Sequence, residues 1–60
     1  MKIGEFRKVV MHPELFKTKI VKNENTIFED TFDKMSDRFD NEDAVPHIYQ
    51  KEYTILLAVN

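Results

Sequence analysis

The sequence predicts an α+β fold of order β-β-α-β: a three-stranded, mainly antiparallel sheet with one amphipathic helix packed on one face. Three observations carry that expectation. Two runs rich in β-formers flank a proline-containing turn near the start, apolar residues step by helical spacings in the middle, and an apolar run alternates at the end.

Residues 3–11, "IGEFRKVVM", hold Ile3, Phe6, Val9 and Val10 in rough alternation, which reads as a strand. "HPEL" follows as a turn, because Pro13 fixes its own φ and biases His12 toward extended geometry. Residues 16–22, "FKTKIVK", form a second strand with Phe16, Thr18 and Ile20 on one face and Lys17, Lys19 and Val21 on the other. The connection is short, so the two runs are expected to form an antiparallel hairpin.

Thr26, with Glu29 three residues on, matches a capping box. From there Phe28, Phe32, Met35 and Phe39 step by 4, 3 and 4, which predicts an amphipathic helix over about residues 27–40. Asn41 suits a helix stop. The final strand, residues 48–59, places Tyr53, Ile55, Leu57 and Val59 on one face and Leu56 and Ala58 on the other. A strand apolar on both faces belongs at the centre of a sheet or against another chain. Placement beside the first strand makes the pair antiparallel, which is the preferred arrangement; placement beside the second makes it parallel across the helical crossover.

All of this fits one domain, residues 1–60. A chain of this size buries only about 60% of the surface its unfolded form exposes, so a staple is usual. With no cysteine, disulfides and thiolate metal sites are excluded, and a reducing cytoplasm suits the chain. Self-association through sheet edges, or a larger partner, is the expected way to bury more surface. The N-terminus lacks the apolar run of a signal peptide, and the longest apolar run, 55–59, falls short of the roughly 20 residues of a membrane span. A soluble, cytoplasmic protein with no membrane contact is expected.

Charge is segregated along the chain. Residues 1–23 carry six bases against two acids, and residues 24–43 carry eight acids against two bases. On the predicted helix, at roughly 100° per residue, Glu29, Asp30, Asp33, Asp37 and Asp40 share a sector about 100° wide with no base among them. Glu29–Asp33 and Asp33–Asp37 are like-charged i,i+4 pairs that weaken an isolated helix. Three explanations compete: a solvated face that maintains solubility, a docking surface for a basic patch, or a cation site. "DNED" lacks the spacing and glycine of a calcium loop, so no metal is expected. The docking reading takes a larger protein with a basic surface or nucleic-acid-binding groove as its partner.

Catalytic patterns are absent. The single serine, Ser36, sits in the predicted helix, and a single glycine, Gly4, rules out a phosphate-cradling loop. His12 and His47 each adjoin a proline, and the antiparallel arrangement would bring them together as an acid–base or metal-binding pair; two surface loop histidines are the simpler reading. No catalytic residue, cofactor or enzyme activity is therefore expected.

An alternative function uses the basic hairpin. Arg7, Lys8, Lys17, Lys19 and Lys22, interleaved with Phe6 and Phe16, could hold phosphates while an aromatic stacks on a base. An overall pI near 5.6 and an acidic helix on the same body speak against a dedicated nucleic-acid binder. In size and charge alone the chain resembles phage-encoded or mobile-element inhibitors of host and defence proteins, such as antitoxins and anti-CRISPR proteins. That resemblance implies a non-catalytic protein that binds and modulates or inhibits a larger one.

Overall fold

The computed structural model describes residues 1–60 and shows a four-stranded mixed sheet with one short helix. Helix α1 spans Ile3–Arg7, followed by strands β1 (Lys17–Lys22), β2 (Asn25–Thr31), β3 (Ala44–Tyr49) and β4 (Thr54–Val59). Short 3-10 turns occupy Phe32–Lys34, Asp37–Phe39 and Gln50–Glu52. The sheet order is β2-β1-β4-β3, with β1 and β4 parallel and both outer pairs antiparallel.

The expected first strand over 3–11 is corrected to a helical turn. Ile3, Phe6 and Val10 step by 3 and 4, and Ile3 and Phe6 are buried while Val9 is exposed, which is one helical face rather than an alternating strand. Glu5 Oε1 accepts from the Lys2 N–H at 3.2 Å and so holds the first turn. The second expected strand is present as β1, with Thr18 and Ile20 buried and Lys17 and Lys19 exposed.

The expected helix over 27–40 does not form. Residues Asn25–Thr31 pair antiparallel with β1 through a two-residue loop, Asn23 and Glu24, both at positive φ (52° and 64°). That is the backbone sense a tight hairpin needs to match strand twist, and asparagine tolerates it well. Beyond Thr31 the chain turns through two 3-10 segments. The four residues assigned to the core nevertheless go there: Phe32, Met35 and Phe39 are buried, and Phe28 packs against them. A step of four residues returns to the same side of a strand as well as of a helix, so Phe28 and Phe32 satisfied both periods.

The long final strand is in fact a hairpin, β3 and β4, closed by the 3-10 turn and by Tyr53 in the left-handed region (φ 49°). As expected from its two apolar faces, β4 is central, but its neighbour on one side is β1 in parallel. The less favoured of the two placements is the one realised, because the preferred antiparallel partner is a helix.

One face of the sheet is covered. Ile20, Ile55, Leu57, Val59 and Ala44 meet Ile3 and Phe6 of α1 and Phe32, Met35 and Phe39 of the 3-10 segments in a single core. Phe6 and Phe32 pack edge-to-face at 5.8 Å. Gly4 lets α1 approach closely: its N–H donates to Asp40 C=O at 3.0 Å, and a Cβ there would lie 3.0 Å from Asp40 Cβ. Arg7 ties the same junction, donating from Nε and Nη2 to Asp40 Oδ1 (2.9 and 2.7 Å) and from Nη1 and Nη2 to the carbonyls of Met35 and Ser36.

Candidate functional site

The five carboxylates expected on one helix face are dispersed. Glu29 and Asp30 are consecutive on β2 and so point to opposite sides of the sheet. Asp30 Oδ1 accepts from the Thr31 N–H at 2.7 Å, Asp33 Oδ1 accepts from the Thr31 hydroxyl at 2.6 Å, and Asp40 is held by Arg7. Only Glu29 and Asp37 have side chains without a hydrogen-bonded or ionic partner, and Glu29 stands opposite Lys19 in the β1–β2 register. The acidic stripe was a property of helical periodicity and disappears with the helix.

The basic hairpin is likewise broken up. Arg7 is committed to Asp40, Lys22 pairs with Glu42 at 3.2 Å, and Lys8 caps the end of α1. Lys17 and Lys19 remain free on the uncovered face of the sheet. There the register aligns Lys17 with Thr54 and Tyr49, and Lys19 with Leu56 and His47. His47 therefore projects from the uncovered face, whereas His12 lies exposed in the loop after α1 with its Nδ1 3.7 Å from Glu14 Oε1. No hydrogen bond joins the two histidines, and His12 is paired with Glu14 instead. No group of three His, Cys, Asp or Glu side chains is arranged to hold a metal ion, and no helix is long and apolar enough to cross a membrane.

What the structure assembles instead is apolar. The loop after α1 and the turn between β3 and β4 enclose an open groove of ≈ 620 Å³, lined by Met11, His12, Leu15, Phe16, Gln50 and Tyr53. A smaller groove of ≈ 200 Å³ adjoins it, sharing Met11, Phe16 and Gln50 and reaching Val9, Ile48 and Ile55. Met11 is 75% exposed, Val9 64%, and Leu15 and Tyr53 54% each. None of the lining residues is Asp, Glu, Lys or Arg. Single exposed apolar residues are ordinary on a protein surface, but a contiguous set around a concavity marks a contact site.

Two left-handed residues and one ring contact lie in the groove's walls. His12 (φ 60°) and Tyr53 (φ 49°) both occupy the left-handed region, a conformation that costs a bulky side chain roughly 1–3 kcal/mol. Tyr53 packs on Phe16 with ring centres 5.7 Å apart, and its carbonyl accepts from the Lys17 N–H at 2.9 Å, so the wall is anchored to β1. Sequence reasoning missed this site because it placed Val9 and Met11 in a strand. The available signal was Leu15, an apolar residue inside a turn with no strand face on which to hide. The chain matches no protein family, no curated protein and no solved structure.

Proposed function

We propose that the chain is a non-catalytic module that binds a larger protein and modulates it by occupying its surface, with the twin groove as the contact. The observation that carries this reading is the concavity walled by Met11, Leu15, Phe16 and Tyr53, with no Asp, Glu, Lys or Arg in its lining and a left-handed residue in each of its two loops. Its occupant is a segment of the partner presenting two or three apolar side chains. With no Lys or Arg in its lining, the groove has no group suited to a phosphate backbone.

Selection of binders from a random peptide library, followed by titration, tests the reading. The selected peptides are expected to be apolar, to lose affinity at least about tenfold on Leu15→Glu, and to bind Glu29→Lys/Asp37→Lys unchanged. Peptides that bind the folded Leu15→Glu variant as tightly as the natural chain would overturn it. Loss of binding in the Glu29/Asp37 variant would return the contact to the acidic residues.

A second reading has its own observation: Lys17 and Lys19, both unpaired, share the uncovered face with Tyr49, Thr54 and His47. That combination of cations and a flat ring suits single-stranded nucleic acid. It requires a salt-dependent mobility shift of an oligonucleotide that Lys17→Glu/Lys19→Glu removes, and it fails if no oligonucleotide is retarded at low salt.

A further inference from the structure

The geometry points to self-association through the β3 edge, giving a two-fold homodimer in which two copies form one continuous eight-stranded sheet. The pairing uses backbone groups of β3 and borders the smaller groove, which Ile48 and Gln50 also line, while the larger groove around Leu15 stays clear of it.

The hydrogen-bonding direction along β3 follows from its two ends. Asp43 C=O accepts from Asn60 N–H, toward β4, while Ala44 N–H donates to Met1 C=O at 2.8 Å, away from it. Because a strand alternates, Val45, His47 and Tyr49 bond to β4 and Pro46 and Ile48 point outward, and the N–H of Gln50, the first residue of the following 3-10 turn, continues that outward edge in the proposed pairing. The chain's own start already covers the first part of this edge: Ile3 N–H donates to Glu42 C=O at 3.0 Å, and Lys2 bridges antiparallel to Asp43. The uncovered part begins at Pro46.

This uncovered stretch is self-complementary. Pro46 has no N–H, and Gln50 C=O is taken by the Tyr53 N–H at 3.2 Å. The outward groups left over are the Pro46 carbonyl, both Ile48 groups and the Gln50 N–H. A two-fold axis through Ile48 sets Ile48 against the partner's Ile48 and Pro46 against the partner's Gln50. Two Ile48–Ile48 bonds and two bonds from Gln50 N–H to Pro46 C=O then use every group, with none orphaned. On the covered side Ile48, 50% exposed, meets its counterpart beside Val9 and Met11; on the other side His47 faces the partner's Tyr49.

Charge selects the edge. Residues 45–50, "VPHIYQ", contain no acid, lysine or arginine. The opposite edge, β2, carries the consecutive acids Glu29 and Asp30, and its Thr31 N–H is already occupied by Asp30. One edge is guarded and the other is open, so association stops at two copies.

Sedimentation of the full chain over a wide concentration range tests this. The expected result is a species of twice 7.2 kDa at high concentration. Ile48→Glu places two carboxylates across the axis, and Gln50→Pro removes the Gln50 N–H together with its side chain, at the first position of a 3-10 turn where proline is tolerated. Each is expected to weaken the dimer by about tenfold or more while the circular dichroism spectrum is retained. Leu15→Glu, in the groove, leaves it intact, so failure of the dimer and failure of the groove reading are separable. Should Ile48→Glu unfold, Gln50→Pro alone decides. A natural chain that stays monomeric, one that grows beyond a dimer, or a folded Gln50→Pro variant that dimerises normally would each overturn the proposal.

Discussion

Among individual residues, Arg7 does the most to join separate parts of the chain. Its guanidinium makes four hydrogen bonds, two to Asp40 and two to backbone carbonyls, across a junction of α1 with the 3-10 segments that also holds the Phe6–Phe32 contact and the Gly4 N–H to Asp40 C=O bond. A planar fork can satisfy those acceptors together, and an ammonium cannot. Arg7→Ala is therefore expected to cost about 2 kcal/mol, read as a lowered urea midpoint with an unchanged slope, and Arg7→Lys should recover less than half of it. A lysine variant as stable as the natural chain would show that the fork geometry is unimportant. The sequence showed Arg7 only as one of six N-terminal bases. Its partner lies 33 residues away, and nothing in local spacing announces a long-range ion pair.

At the scale of elements, the chain was most legible where burial alternates strictly. β1 and the apolar face of β4 stand as their patterns require, and the core residues Phe28, Phe32, Met35 and Phe39 were found although the element holding them was not. The four-residue steps fit both periods, and the deciding evidence lay upstream, in a loop competent to reverse the chain. Two like-charged i,i+4 pairs, which weaken a helix, were read as a functional stripe when they argued against the helix itself. The acidic site fell with that misreading, and the groove stayed hidden because it joins two loops distant in sequence. The hairpin loop that decided the fold is itself imperfect: Asn23 accepts positive φ readily, but Glu24 carries a Cβ at φ 64°. Glu24→Gly is expected to stabilise the protein by about 0.5–1 kcal/mol, observed as a higher thermal midpoint. A neutral or destabilising result would mean that Glu24 makes a compensating contact.

For the whole molecule, the accessible surface of 4255 Å² is close to the roughly 4,100 Å² expected of a compact monomer of this mass. The single chain is thus as compact as a monomer of its mass, and its burial is unevenly distributed. β1 and β4 are flanked on both edges by other strands and carry Ile20, Ile55 and Leu57, all essentially inaccessible. β2 and β3 each have a free edge and mostly exposed side chains. Opening either outer strand leaves the β1–β4 pair and the core beneath it, whereas separating β1 from β4 exposes the core entirely. Native-state hydrogen exchange should accordingly rank the amide of Leu57, between the two central strands, nearest to global unfolding, whereas the outward-facing Glu29 and Ile48 amides exchange without protection in the single chain. The two edges then diverge with concentration. Pairing at β3 predicts that Ile48 and Gln50 amides gain protection as the protein is concentrated while Glu29 does not. Equal gains at both edges, or none at either, would contradict an association confined to the uncharged edge.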